Sequence, residues 1–294
     1  MSLVSSRALV CCVIVAGFGR EGAWGQDSPP AEIAAKRLPA PPTVATPRGT
    51  VAASKTRLIL VSRKPNAITD DEAWFTRTGV SMPDYRFGAA SPEDYGDLPR
   101  GAVLSYKGTR LQRALNTANS GRNRFLAIYG EDYANTRYLV CADGLGGELV
   151  YALDFSSYRS PASGTKAIPD RQPIGFAHED KNGTLYVSNG INGYAKEAKG
   201  KTAYVTALEP KTGKLLWRSG PLIQNASTFA DAGEVLVCGY GFTAEPDFLY
   251  VLDKRTGRKV QTIPLKSGPS AILRKGDRIY VRCYDTDYVF AIKR

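Results

Sequence analysis

The sequence predicts an all-β fold of repeated four-stranded antiparallel units, and three observations carry that expectation. The stretch "YVTALEPKTGKLLWRS" (204–219) is echoed by "YVLDKRTGRKVQT" from Tyr250, with Gly213 and Gly257 44 residues apart. Each copy opens on a glycine turn, at Gly183, Gly233 and, in the final copy "KGDRIYVRCYDTDYVFAIKR", at Gly276. The repeated runs are rich in Val, Tyr, Leu, Thr and Phe and are bounded by Gly, Asn and Asp, which is strand composition.

The spacing sharpens the expectation. Leu208 and Leu252 are 44 residues apart, and Leu252 and Ile292 are 40 apart. An earlier, weaker copy is "RYLVCADGLGGELVYALDF" (137–155), and the polar insert "GINGYAKEAKGK" (190–201) lengthens the interval that follows it. A period of about 40–45 residues with four strands per unit marks a β-propeller. Both faces of "YVTAL" and "LYVL" are largely apolar. One blade cannot cover both faces alone, whereas blades stacked in a ring cover each other.

In the best copy the strands, from the axis outward, are A "IGFAHED", B "TLYVSN", C "AYVTALE" and D "KLLWRS". The "EPKTGK" and "DKRTGR" turns between C and D make physical sense. Their acidic residue can accept from the turn's own amides, and glycine takes the positive φ that closes the hairpin. The last copy has A "SAILRK", B "RIYVRCY" and C "YVFAIKR", and then the chain stops. A bare strand edge invites pairing, so "TRLILVSR" (56–63) is expected to supply the missing D strand and close the ring. The length from Thr56 to Arg294, at about 44 residues per unit, predicts about five blades, or six if one is degenerate. Residues 64–123 show no clear period and read as an irregular or decorated blade. Within them "TRLQRALNTANSG" (109–121) reads as a short helix.

The N-terminus reads as a targeting segment. Arg7 precedes the apolar run "ALVCCVIVAGF" (8–18), and "AWG" places small residues before a cleavage point near Gly25. Residues 1–25 are therefore expected to be a signal peptide, and the mature protein to be exported to a periplasm or the extracellular space. No transmembrane segment is expected to remain after cleavage. Residues 26–55 are rich in Pro and Ala and read as a disordered linker, with the propeller domain spanning 56–294.

The 294 residues carry a net charge of +11. The Lys and Arg residues are scattered rather than blocked, so nucleic acid is not the expected partner. An envelope or extracellular protein, or an anionic glycan, fits the basic balance better, and the chain is read as a monomer. Beyond the leader, Cys141, Cys238 and Cys283 sit in strand-like runs and are expected as buried free thiols, with neither a disulfide framework nor a zinc site.

The motif Leu-[Glu/Asp]-x-x-Thr-Gly-[Lys/Arg]-x-x-Trp, read from Leu208 to Trp217, resembles the pyrroloquinoline-quinone-type propeller repeat. That family includes quinoprotein dehydrogenases and the non-catalytic propeller of the bacterial outer-membrane barrel-assembly machinery. The second copy departs from the motif, with Gln261 where the first has Trp217. The resemblance implies that Trp217 is a wedge between blades. For a quinoprotein it would also imply adjacent cysteines over the cofactor, a carboxylate–amide calcium site and a stacking Trp. The only Cys-Cys pair, Cys11–Cys12, lies in the leader. No cofactor and no metal are therefore expected.

The B–C loops are longer than the other turns and variable, 189–202, 239–247 and the short 284–287, and with the long D–A connection 156–173 they gather on one face. Loops on a rigid scaffold are where binding concentrates. Tyr194, Lys196, Tyr240, Phe242, Asp247, Tyr284, Asp285 and Asp287 are the candidate ligand-binding residues there, with Lys199 and Glu245 beside them. Their mix of aromatic, basic and acidic groups suits a peptide or glycan. His178, the single histidine, lies on innermost strand A and is the candidate axis-lining residue. No catalytic residue is assigned: there is no Ser-His-Asp order and no cluster of metal-binding histidines. The resulting expectation is an exported, non-catalytic binding or assembly platform. A propeller-type enzyme, either a calcium-dependent lactonase-like protein or a small quinoprotein relative, is the alternative.

Overall fold

The structure is a computed structural model that describes residues 31–47, 52–66, 71–80, 104–118, 124–130, 135–143, 149–161, 171–191 and 193–294. The expected signal peptide, 1–25, lies outside these residues. In chain order the strands are β1 (Ala31–Glu32), β2 (Lys36–Arg37), β3 (Arg57–Pro65), β4 (Leu104–Tyr106), β5 (Thr109–Ala118), β6 (Arg124–Gly130), β7 (Thr136–Asp143), β8 (Leu149–Asp154), β9 (Ile174–Glu179) and β10 (Leu185–Asn189). They continue with β11 (Tyr204–Glu209), β12 (Lys214–Arg218), β13 (Ala230–Asp231), β14 (Val235–Tyr240), β15 (Phe248–Asp253), β16 (Lys259–Pro264), β17 (Pro269–Lys275), β18 (Arg278–Cys283) and β19 (Thr286–Lys293). A helix, α1 (Asp71–Thr78), falls between β3 and β4.

The strands stack as a β-propeller. Blade 2 is β9-β10-β11-β12, blade 3 is β13-β14-β15-β16, and blade 4 is β17-β18-β19-β3, each a four-stranded antiparallel sheet. Blade 1 is built on β6, β7 and β8, with β2 as its outer strand and β5, β4 and β1 extending the sheet beyond β6. Apolar layers separate the blades. Leu126, Leu139, Cys141 and Leu153 of blade 1 pack on Ile174, Leu185, Val187 and Leu208 of blade 2. Tyr186, Val205 and Trp217 of blade 2 meet Leu236, Cys238 and Leu252 of blade 3. Val237 and Val251 of blade 3 meet Ile272, Val281 and Phe290 of blade 4. Inner strands β10, β11, β14 and β15 thus have both faces covered, as the doubly apolar runs predict, whereas outer strands β12, β16 and β3 stay partly exposed. Four such blades stand among the described residues, where chain length predicts five or six. Cys141, Cys238 and Cys283 are buried free thiols in these layers, and burial pushes the Cys141 thiol up to about 11.

The repeated turn has the expected construction. Glu209, at the end of β11, accepts from the amides of Lys211 (3.0 Å) and Thr212 (2.9 Å). Asp253, at the end of β15, accepts from the Arg255 amide (2.9 Å). Gly213 and Gly257 follow with φ of +71° and +68°. These glycines also admit the neighbouring blade: a Cβ at Gly257 would lie 2.4 Å from the Trp217 ring, and one at Gly213 2.7 Å from Leu38. Trp217 is 1% exposed, and its Nε1 donates to the Lys254 carbonyl at 2.7 Å. It is a wedge between blades 2 and 3.

The strand at 56–63 also does what the missing D strand requires. β3 runs antiparallel to β19 from Arg57↔Lys293 to Pro65↔Thr286, completing blade 4.

Two expectations are corrected. Residues 109–118 form strand β5, not a helix. Its residues pair along β6 from Gln112↔Gly130 to Ala118↔Phe125, and the open edge of β6 outweighs local helix propensity. The helix in this region is instead α1, whose Trp74 packs with Val80 on Leu273 and Tyr280 of blade 4. The second correction concerns the expected disordered linker. Ile33 and Leu38 are buried at 5% and 2% exposure. β2 pairs in parallel with β8, Ala45 and Arg218 exchange backbone hydrogen bonds (3.1 and 2.8 Å), and the Ser54 amide donates to Asp253 at 2.8 Å. The segment is a strap that meets blades 1, 2 and 3 in turn before the chain enters β3 of blade 4. Its prolines hide a few well-spaced apolar anchors from a composition-based reading.

Candidate functional site

The B–C loops of blades 2 and 3 meet as one aromatic and acidic cluster. After β10 the chain makes a 3-10 turn at Ala195–Ala198, which Lys199 and Gly200 end with φ of +51° and +73°. Glu197 turns back to accept from the Tyr194 amide at 3.1 Å. This holds the Tyr194 ring edge-on to Phe242 of the next blade, with centroids 4.6 Å apart. Lys196 Nζ lies 5.3 Å over the same Tyr194 ring. Glu245 joins the two loops: one carboxylate oxygen accepts from the Ala195 amide at 2.8 Å, the other from the Tyr240 hydroxyl. Burial, then the bond to Glu245, pushes the Tyr240 phenol up.

The remaining predicted face residues separate. Asp247 is packed beside Gly241 and Gly268, and burial together with the nearby Asp285 raises its carboxyl. Asp285 accepts from Ser267 Oγ (2.5 Å) and pairs with Lys266 Nζ (2.9 Å). Those two partners hold it at about 2. Tyr284, between them in sequence with Cys283, is 90% exposed. Asp287 turns the other way and is 8% exposed. It pairs with Arg77 of α1 at 2.6 Å, beside Arg282, which in turn bonds Asp71. Asp285 and Asp287 therefore serve separate partners rather than one chelate. Among the described residues no group of three His, Cys, Asp or Glu side chains converges as a metal site.

His178 lies at the far end of β9 from these loops. Its Nε2 is 3.4 Å from Asp231 Oδ2 on edge strand β13 of the next blade. Lys254 Nζ links Asp231 (2.7 Å) to Asp180 (2.8 Å), which extends the chain of charges across blades 2 and 3. Burial alone would raise Asp231, but the His178 bond and the Lys254 charge outweigh it and hold the carboxyl at about 2. The histidine thus contacts an inter-blade ion-pair chain of Asp231, Lys254 and Asp180 at the turn end. The sequence does not announce the Glu245 bridge, the position of α1 under Asp287 or the buried polar group around Arg218. No local signal joins these partners, because they sit on different blades.

No protein-family model matches the chain, and no curated protein matches it. Among solved structures it is similar to the computationally designed Ika4 protein, with 16% identity over 65% of this chain and 98% of that one and a TM-score of 0.38. It is similar to BamB from Moraxella catarrhalis, with 13% identity, 61% of each chain covered and a TM-score of 0.31. It is also similar to the β-propeller domain of Myceliophteria thermophila Cps50 (Swd1), with 11% identity, 60% of this chain and 52% of that one, and a TM-score of 0.37. The chain spans about half to three-fifths of these two natural proteins. At such scores the propeller assignment rests on the stacked sheets themselves. Among the described residues no helix is long and apolar enough to cross a membrane.

Proposed function

We propose that the protein is an exported, non-catalytic β-propeller of the pyrroloquinoline-quinone-like repeat type, and that its B–C loop face is a binding or assembly platform for an envelope protein or an anionic glycan. The observation that carries the reading is the bridge of Tyr194, Phe242, Tyr240 and Glu245 across two blades. Loops already held in place lose little entropy on binding. Tyrosine offers a large, rigid, amphipathic contact, and Tyr284 and Lys196 remain exposed on this face. The apolar leader at 8–18 supports export, and the Leu208–Trp217 repeat supports the family.

The test is capture from an envelope fraction and from an anionic-glycan array, using the wild type, Tyr194→Ala/Phe242→Ala, Tyr284→Ala and His178→Gln. The loop variants are expected to lose at least tenfold in binding while His178→Gln keeps it. Binding that follows His178 instead, or a stoichiometric metal in the purified protein, would turn the reading toward the enzyme class.

A further inference from the structure

The N-terminal strap covers the outer edges of two blades. β2 lies along β8 of blade 1, and Ala45 exchanges backbone hydrogen bonds with Arg218 on β12 of blade 2. The outer strand of blade 4 is treated differently. β3 is the last strand of its sheet and has nine residues, against five in β12 and six in β16. Gln261 of blade 3 occupies its edge at Leu58, bonding both the amide and the carbonyl. Outward-facing groups recur at every second residue of an antiparallel ladder, so those of Leu60 point the same way as those of Leu58. Among the described residues no strand lies beyond them.

The side chains at this edge form an exposed apolar run. Ile59, Leu60 and Val61 are adjacent and 53%, 53% and 48% exposed, whereas the other exposed large apolar side chains among the described residues, Val44, Leu149, Leu216 and Tyr284, stand singly. An open apolar edge invites pairing with another chain, and natural sheets blunt it with Lys, Pro or a bulge. β3 carries all three, but only from Val61 onward. A bulge leaves Val61 without a partner on β19, and Lys64 and Pro65 follow.

Those features select a partner. Two-fold pairing of β3 with a second copy about Leu60 sets Arg57 opposite Arg63, and like charges placed opposite each other destabilise a strand pair. An acidic strand gains where a copy loses. Arg63 and Lys64 are exposed, with Arg63 5.7 Å over the Tyr288 ring and no carboxylate on either among the described residues. Exposed Lys55 and Lys293 continue the positive charge at the other end. A lipid surface also attracts basic and apolar side chains. Hydrocarbon, however, leaves the open amides and carbonyls of a strand edge unsatisfied, whereas a strand pairs with them.

We propose that the outer edge of β3 docks an extended acidic segment of a partner protein, which joins blade 4 as an added strand through main-chain hydrogen bonds. Ile59, Leu60 and Val61 supply the apolar contacts, and Arg63 and Lys64 the charged ones. The edge shares no residue with the B–C loop face, so it stands or falls independently of the platform reading.

Calorimetric titration of the full chain with peptides of the nine-residue length of β3 tests it. In them valine alternates with glutamate, threonine or lysine. The glutamate peptide is expected to bind saturably, the threonine peptide about tenfold or more weakly and the lysine peptide weakest, and salt should weaken the first. N-methylation of one alternate set of amides in the glutamate peptide should abolish binding and methylation of the other set should spare it, because only one set faces β3. Leu60→Lys and the double change Arg63→Glu/Lys64→Glu should each weaken binding about tenfold or more. Amide exchange across residues 59–64 should slow when the peptide binds. A glutamate peptide that does not bind, or two methylated forms that bind equally, overturns the site. So does full protection of 59–64 before peptide is added, which would mean that the protein's own chain covers the edge. A dimer abolished by Leu60→Lys would assign the edge to a second copy. Binding to anionic phospholipid vesicles that Leu60→Lys abolishes, without peptide binding, would assign it to a membrane.

Discussion

The interfaces between blades 2 and 3 and between blades 3 and 4 solve the same packing problem with different parts. At the first, Trp217 of outer strand β12 covers Gly257, the positive-φ glycine of the next blade's turn. At the second, the corresponding residue of outer strand β16 is Gln261. Its side-chain amide donates to the Leu58 carbonyl at 2.9 Å and accepts from the Leu58 amide at 2.8 Å. Blade 4 has no turn of this kind for a tryptophan to cover, because its outer strand, β3, precedes the other three in the chain instead of following β19 through a hairpin. A carboxamide does what a ring cannot: it pairs with the exposed backbone of an incoming strand, as another strand would. The innermost positions differ in the same way. Across the first interface Asp231 pairs with Lys254 and is contacted by His178, forming an ionic chain that the histidine extends. Across the second, Thr228 Oγ1 donates to the Ile272 carbonyl at 2.9 Å and accepts from its amide at 3.0 Å. Where a repeated residue changes, the structure it meets in the next blade has changed too.

The largest expected effect breaks the first interface. Trp217→Ala removes a fully buried indole and its bond to Lys254, and should destabilise the protein by about 4 kcal/mol. Urea unfolding monitored by circular dichroism measures this, and a loss below about 1 kcal/mol would show that the wedge carries little of the contact. The ionic chain comes next. Asp231 has a folded-state pKa of about 2 against an ordinary value of 3.8. A depressed carboxyl contributes stability that is fully present above pH 3.8 and is lost as pH falls through 2. The gap between those two values corresponds to about 2 kcal/mol. Asp231→Asn should therefore lower stability by about that amount at pH 7. The difference from wild type should close between about pH 4 and pH 2, and a difference that stays constant over that range would remove the charge argument.

Much of the fold is legible because the repeat writes local chemistry. Glu209 and Asp253 before a Thr-Gly pair announce a capped turn, and doubly apolar runs announce strands covered on both faces. The missing fourth strand after β19 points to "TRLILVSR" because an open edge needs a partner. What stays hidden is non-local. The sequence around Thr109 has no local mark of the β6 edge it pairs with, and its spacing alone suggests a helix. Leu38 lies in a Pro/Ala-rich stretch and looks incidental until it is found on Gly213. The candidate site is partly legible. Loop position groups Tyr194, Lys196, Tyr240 and Phe242, and the structure brings them together. Loop position groups Asp287 with them too, but Arg77 of α1 holds it elsewhere. The buried polar group around Arg218 gives no sign, since its partners Tyr158 and Gln172 lie 60 and 46 residues before it.

The smallest effect discriminates best between the two interfaces. Gln261→Ala removes two hydrogen bonds and leaves the Leu58 amide and carbonyl to find water. At about 0.5–1.5 kcal/mol for each of the two bonds, the loss should lie toward the lower end of about 1–3 kcal/mol. It should fall on the latch, so that amide exchange in β3 accelerates while β14 and β15 stay protected. Gln261→Trp restores the residue type of the first copy without supplying a turn for it to cover. If the change at 261 were mere drift from the repeat, that variant would be at least as stable as wild type. If the residue answers to the strand it meets, the variant loses both hydrogen bonds, leaves an indole without its glycine, and melts below wild type.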